Sequence, residues 1–317
     1  MTAEHEPAGL QMVGETGVGR EALAPAGARP SAAWQRTLRR WLGGVARFAR
    51  REPAGAAGLV GLLAFAAMAA SANVISPHDP LATGIPLQRF SATHPLGTDQ
   101  LGRDMLSRII WGARTAMLIG AIASAVSVLA GLVLGVLSGF VGGVFDLVFQ
   151  RVVDAVTAFP VLLLALVVVA LFGASLPVIV AAIALGSTPT VIRVIRSSTL
   201  ALKEVTFVLA ARSAGASQIR IMWRHIVPNV TSLTLVFGAL GFAQAILAEA
   251  ALGYLGLGVP PPTPDWGSML SAGAINYMLQ DPWVAVFPGV AISLAVLFVN
   301  LLGDALRDYL DPSLRGW

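Results

Sequence analysis

The sequence predicts an all-α, polytopic membrane protein with about six transmembrane helices. Hydrophobic residues make up 56% of the 317 residues and charged residues only 12%, a balance far more apolar than that of a soluble domain. The apolar residues gather into runs close to the roughly 20 residues that cross a bilayer core. Cysteine is absent, which excludes disulfides, thiolate catalysis and cysteine metal ligands.

The N-terminal part is predicted to lie outside the membrane. Residues 1–33 are rich in Ala, Gly, Pro and Glu without apolar periodicity, which indicates a disordered cytoplasmic tail. Residues 34–55 interleave arginines with large apolar side chains, which is typical of a basic interfacial helix. We assign 56–110 to the first span and an extracytoplasmic segment, with a short helix from Asp104 onward, and 111–317 to a core of five further spans.

Six apolar runs are long enough to span. They cover residues of about 56–75, 115–137, 152–173, 176–195, 231–254 and 284–303. Pro160 and Pro189 are expected to kink the third and fourth spans, and small residues such as Gly131 and Gly135 predict close helix packing in the second.

Basic residues predict the orientation. Most Lys and Arg fall in 1–55, 138–151, 196–230 and 304–317, so the positive-inside rule places both termini in the cytoplasm. The net charge is +4, but the basic residues flank apolar spans and do not form one solvated patch. We therefore do not expect nucleic acid as a partner.

The polar segment at about 196–230 connects the fourth and fifth predicted spans and has the clearest residue pattern outside the spans. Its second half predicts a one-sided helix, capped by Ser217 and ended by Pro228, with apolar residues at i, i+3, i+4 and i+7: Ile219, Met222, Trp223 and Ile226. The connection could be a basic segment on lipid headgroups or a docking element for a partner protein.

Glu249 is the one acid well inside an apolar run. An intramembrane carboxylate is a functional candidate because its desolvation is costly, and an ion-coupled secondary transporter would use it as its proton or cation site. The alternative is a structural acid near the outer end of its span, either wetted or hydrogen-bonded.

Catalytic and cofactor motifs are missing from the sequence. It contains neither GxxxxGK followed by Ser or Thr nor HExxH, and its four histidines show no metal-ligand spacing. We therefore expect no catalytic residue, no metal site and no cofactor, and a chain that forms a path through the membrane instead of acting as an enzyme.

Four motifs resemble those of a known family. AARSAGASQIRIMWRHIVPN, residues 210–229, resembles the EAA signature of ABC importer membrane subunits. HPLGTDQLGRDMLSRIIWGAR from His94, LGLGVPPPTPDWGSML from Leu255 and NLLGDALRDYLDPSLR from Asn300 resemble the dipeptide, oligopeptide and nickel permeases. The resemblance implies the second, C-type membrane subunit, with type I ABC importer architecture, in the bacterial inner membrane.

This resemblance also implies partners and a coupling site. The partners are a second homologous permease subunit, two cytoplasmic ABC ATPase subunits that carry the ATPase activity, and an extracytoplasmic solute-binding protein. Carried over by position, Ala210, Ala211, Gly215 and Ala216 form a bend, and Ile219, Met222, Trp223 and Ile226, followed by Pro228, form the docking face. Leu209 stands where the signature has Glu, so docking is expected to depend on apolar burial. Peptides, glutathione-like compounds, nickel chelates and oligosaccharides all remain possible substrates.

Overall fold

A computed structural model describes residues 52–310. The predicted tail at 1–33, nearly all of the predicted interfacial helix and the last seven residues lie outside this range. Across the described range the chain is helical, and the single β-bridge joins Thr98 to Asp104.

Eleven α-helices and one π turn follow in order within the described range. They are α1 Pro53–Ala70, α2 Ala72–Ile75, α3 Met105–Val141, α4 Gly143–Thr157, α5 Val161–Phe172, α6 Leu176–Lys203, α7 Thr206–Ser213, α8 Gln218–Ile221, the π turn Met222–Ile226, α9 Val227–Tyr254, α10 Trp266–Asn276 and α11 Trp283–Leu310.

Five helical stretches are long and apolar enough to cross a membrane: α1, α3, α6, the continuous run Gln218–Tyr254, and α11. The pair α4 and α5 is bent by 83° and gives a sixth crossing if it counts as one span. The break lies at 158–160, where Pro160 precedes α5. The prediction of an all-α protein with about six spans is confirmed, and so is the predicted kink at Pro160, which breaks the third span into α4 and α5.

A capping residue sets the start of α3, whereas a proline inside α6 does not end that helix. Asp104 accepts a hydrogen bond from the Ser107 N–H at 2.8 Å, so α3 begins at Met105, about ten residues before its predicted apolar run. By contrast, α6 continues through Pro189 as one helix of 28 residues. The side chain of Thr188 donates to the Ala184 carbonyl at 2.6 Å and Ser187 to that of Ile183 at 2.9 Å, so both hydroxyls beside the proline are hydrogen-bonded within the helix.

Glycines bring α3 against α6. A Cβ added at Gly131 would meet Val191, and one added at Gly135 would lie 2.8 Å from the Ile192 carbonyl oxygen. The two glycines are four residues apart and therefore share one face of α3, as the small-residue pattern predicts. Helix α9 packs on α3 and α11, and α11 packs on α1, which completes the bundle.

Candidate functional site

The connection between α6 and α9 is a bent, helical element. Its first helix, α7, ends at Ser213 and is followed by Gly215, which has φ +79°, and the Ala216 N–H donates to the Ala211 carbonyl at 3.1 Å. This six-residue closure with a left-handed glycine is a Schellman motif. It turns the chain into α8, where the Ser217 side chain accepts a hydrogen bond from the Arg220 N–H at 3.4 Å, so the predicted N-cap is confirmed.

Three apolar side chains anchor this connection in the bundle. Val208, Ile221 and Ile226 are each no more than 1% exposed and belong to one core cluster with residues of α3 and α6, including Val136, Phe140 and Ile195. The Phe207 and His225 rings lie 6.1 Å apart and join α7 to the π turn. A force applied to this connection would therefore reach α3, α6 and α9 through packed side chains.

Other apolar side chains of the connection face outward. Ile219 is 69% exposed and Trp223 is 59% exposed. They lie four residues apart, hence on one helix face. The α7 side contributes Val205, Phe207 and Leu209, each about 40% exposed. We call these five residues the exposed apolar patch. Ala210 is also exposed, and Ala211 is partly buried.

The π turn corrects two details of the predicted docking helix. Ile226 was expected to share a face with Ile219, but the wider turn stacks residues five apart, so Ile226 is buried with Ile221 and Met222 is half-buried. Pro228 was expected to end the helix. It instead lies in the first turn of α9, where the missing N–H costs little, and the helix continues to Tyr254.

Ion pairs tie the helix ends next to the connection. Asp146 of α4 accepts two hydrogen bonds from the Arg196 guanidinium of α6, at 2.6 and 2.5 Å, and one from the Ser138 hydroxyl of α3, at 2.5 Å. Asp154 pairs with Arg193 at 2.8 Å. The main partners of the two acids thus come from α6, and Arg151 of α4 lies 3.9 Å from Asp154 as a local partner.

Glu249 is buried in α9. It is 1% exposed, and neither carboxylate oxygen has a hydrogen-bond partner among residues 52–310. The expectation of a wetted acid is therefore wrong, because α10 and its preceding loop cover the end of α9 and leave the Glu249 carboxyl beside that of Asp265. The covering acid is Asp265, itself fully buried, which caps α10 by accepting from the Gly267 and Ser268 N–H groups and acts electrostatically on Glu249.

A cavity of about 490 Å³ lies between α3, α5, α6 and α9. Its polar lining consists of Ser127, Ser187, Thr190 and Gln244, and the rest is apolar, such as Phe237. The Ser127 hydroxyl is buried without a partner in the described part of the chain. Sequence periodicity did not separate these residues from the core, because small polar side chains in spans are also common in helix contacts.

The segment between α2 and α3 converges on Asp104. The His94 Nδ1 lies 2.9 Å from Asp104 Oδ1, and the His78 Nδ1 lies 3.8 Å from the same oxygen. Burial raises the pKa of Asp104, but hydrogen bonds from Ser107 and His94 outweigh burial and leave it lowered. The sequence spacing of the histidines gave no indication of this cluster.

Comparisons with known proteins place the chain in a family. Residues 131–316 match the binding-protein-dependent transport system inner membrane component, more than half of the chain and including the whole α6–α9 connection. The chain belongs to this family of inner membrane components. It is therefore a multi-pass permease subunit of an ABC importer, and the family and subunit type predicted from the four motifs are confirmed.

Three relatives cover most of this permease. The glutathione transport system permease protein GsiD of Pectobacterium atrosepticum is 44% identical over 71% of this chain and 74% of its own. The dipeptide transport system permease protein DppC of Alkalihalophilus pseudofirmus is 42% identical over 72% and 75%. The di/tripeptide transport system permease protein DppC of Pseudomonas aeruginosa is 44% identical over 72% and 75%. The permease assignment replaces the ion-coupled alternative built on Glu249.

Proposed function

We propose that this permease forms half of a translocation pathway for short peptides or peptide-like compounds such as glutathione. The relatives named above are transport permeases for those two solute types at nearly equal identity, so identity alone favours neither. The cavity of about 490 Å³ between α3, α5, α6 and α9 is the part of this chain that we assign to the pathway.

The lining of this cavity suits a passing peptide. Hydroxyl and amide groups of Ser127, Thr190 and Gln244 can exchange hydrogen bonds with peptide amides. No charged side chain lines it, so the charged ends of a peptide would meet no strong counter-charge. Conduction requires binding weak enough for release, and a neutral lining meets that requirement.

The exposed apolar patch is, in this proposal, where a cytoplasmic ATPase subunit docks. ATP hydrolysis belongs to two such subunits, and the second half of the pathway belongs to a homologous permease subunit. The observation that carries this assignment is the division of the connection: Ile219 and Trp223 are exposed, whereas Ile221 and Ile226 are buried against α3 and α6. Motion of a docked ATPase would thus be transmitted to α3 and α6 through the buried side chains of Ile221 and Ile226.

Charge supports a cytoplasmic position for this connection. Residues 204–230 contain three arginines and one acid, whereas 255–282, at the far end of α9, contain two aspartates and no base. By the positive-inside rule, this asymmetry supports a cytoplasmic α6–α9 connection and, with six spans, cytoplasmic chain ends. Segment 76–104 lies on the opposite side, where a solute-binding protein would deliver the substrate.

Reconstitution tests the proposal. The complete importer is placed in proteoliposomes with its binding protein, and uptake of labelled dipeptide, tripeptide and glutathione is measured with ATP inside or outside. Uptake of at least one of these compounds, dependent on ATP on the ATPase side, is expected. Mass spectrometry of the solute that co-purifies with the binding protein identifies the class, and a nickel chelate or an oligosaccharide would overturn the peptide assignment.

A further inference from the structure

We infer that His78, His94 and Asp104 form a binding site for a divalent transition-metal ion, such as Zn²⁺ or Ni²⁺. The three side chains come from three places in segment 76–104, and one ligand atom of each lies within 4.8 Å of the others. Two imidazole nitrogens and one carboxylate oxygen are the ligands that Zn²⁺, Ni²⁺ and related ions prefer, whereas Ca²⁺ and Mg²⁺ prefer oxygen alone.

The distances fit a site that closes slightly around its ion. Metal–ligand bonds of about 2.0–2.1 Å place tetrahedral ligand atoms about 3.3 Å apart. The Asp104 Oδ1 lies 2.9 Å from His94 Nδ1 and 3.8 Å from His78 Nδ1, on either side of that spacing. The imidazole rings already lie face to face, with centroids 4.6 Å apart and planes 31° apart.

One ligand atom is buried without a partner. The His78 Nδ1 makes no hydrogen bond within residues 52–310, although it is shielded from water. A buried nitrogen with a free lone pair or N–H is unfavourable unless something binds it. The His78 side chain as a whole is 39% exposed, so an ion can reach the nitrogen after a small rotation of the ring.

The groups around the three side chains hold them in place. The Ser107 N–H donates to Asp104 Oδ2, the oxygen next to the ligand oxygen, at 2.8 Å. The backbone N–H of His78 donates to the Ser107 hydroxyl at 3.1 Å, and the backbone N–H of His94 donates to the Ser91 hydroxyl at 3.0 Å. The bond to Asp104 orients its carboxylate as a ligand, and the two backbone bonds fix the chain positions from which the imidazoles extend. Around a four-coordinate ion, the three protein ligands would leave a fourth position for water.

The consequence of binding is a clamp on segment 76–104. Asp104 is the N-cap of α3. His78 lies just after α2, and His94 lies later in the same segment, ten residues before Asp104. An ion bound by all three would fix these two parts of segment 76–104 to the start of α3. The competing explanation is a cluster without an ion, joined by the His94–Asp104 hydrogen bond, the contact between the two imidazole rings and the attraction of His78 to Asp104.

Metal titration of the assembled importer distinguishes the two. The complex is purified through a tag without histidine, stripped with chelator, and titrated with Zn²⁺ and Ni²⁺ by calorimetry, with Co²⁺ absorption as a second readout. We expect one ion per permease chain, and His78→Gln and His94→Gln should each weaken binding by about tenfold or more. Asp104→Asn should do the same while an Asn N-cap keeps the helix start.

His225→Gln is the matched control, because His225 contacts Phe207 in the α6–α9 connection and should leave the titration unchanged. Circular dichroism verifies that each variant is folded. The proposal fails if the wild type shows no saturable one-to-one binding. It also fails if the His78 and His94 variants, both folded, bind like the wild type, which would leave the hydrogen bond as the whole explanation.

Discussion

Replacing Trp223 with alanine should uncouple the ATPase from transport without unfolding the permease. Trp223 is 59% exposed. A Trp side chain offers about 250 Å², so about 150 Å² is free to be buried by a partner. At about 25 cal/mol per Å² the upper limit is about 3.7 kcal/mol, and docking realises only part of it.

A loss of about 2 kcal/mol is therefore a realistic expectation, equivalent to roughly 30-fold weaker docking. Affinity is measured between ATPase subunits and the permease in nanodiscs, and coupling as ATPase stimulation by the loaded binding protein. Stability of the variant should stay within about 0.5 kcal/mol of wild type, because an exposed side chain contributes little to the packed core.

Two matched variants make the test selective. Ile226→Ala removes a fully buried side chain three residues away and should destabilise the fold by about 2–5 kcal/mol. Val133→Ala trims a side chain of α3 that is 54% exposed but lies outside the patch, and should change neither property. Unchanged docking and coupling in Trp223→Ala would refute the reasoning.

Three further predictions concern packing, charge and the patch. Gly135→Ala should lower the free energy of unfolding by about 1–3 kcal/mol, because its Cβ would press on α6. Gly238→Ala, at a position with space for a Cβ, should leave it unchanged. Thermal unfolding in detergent measures both variants. Asp146→Asn should cost about 1–2 kcal/mol in the same assay because it weakens the bonds to Arg196, and wild-type stability would contradict that ion pair's role. Leu209→Glu restores the acid of the EAA signature but removes part of the patch, so ATPase affinity should fall; tighter docking would show that charge matters more than apolar burial.

The spans were predictable because hydropathy acts over twenty residues at a time. Six apolar runs predicted the fold class, the small residues of α3 predicted close packing of that helix, and the residues from Asp104 onward predicted a helix entering the second span. These features depend on local sequence and on the requirement that backbone groups in lipid be satisfied within the helix.

Other features depend on tertiary contacts that the sequence hides. The π turn at Met222–Ile226 shifts Ile226 into the core and lets Pro228 remain inside a helix, and no residue pattern marks such a turn. Glu249 is sealed by Asp265, sixteen residues later, after a proline-rich loop. The meeting of His78 with His94 depends on how segment 76–104 folds back, which spacing alone does not specify.

The central claim is that the exposed face of the α6–α9 connection contacts an ATPase subunit. Because the chain has no cysteine, Ile219→Cys, at a position 69% exposed, gives this subunit a single thiol, which is labelled with a photoreactive reagent before the importer is assembled. We predict a cross-link to the ATPase subunit that changes in yield when ATP binds. Leu279→Cys, fully exposed beyond the far end of α9, should give none. A cross-link from Leu279→Cys to the ATPase, with none from Ile219→Cys, would contradict the account.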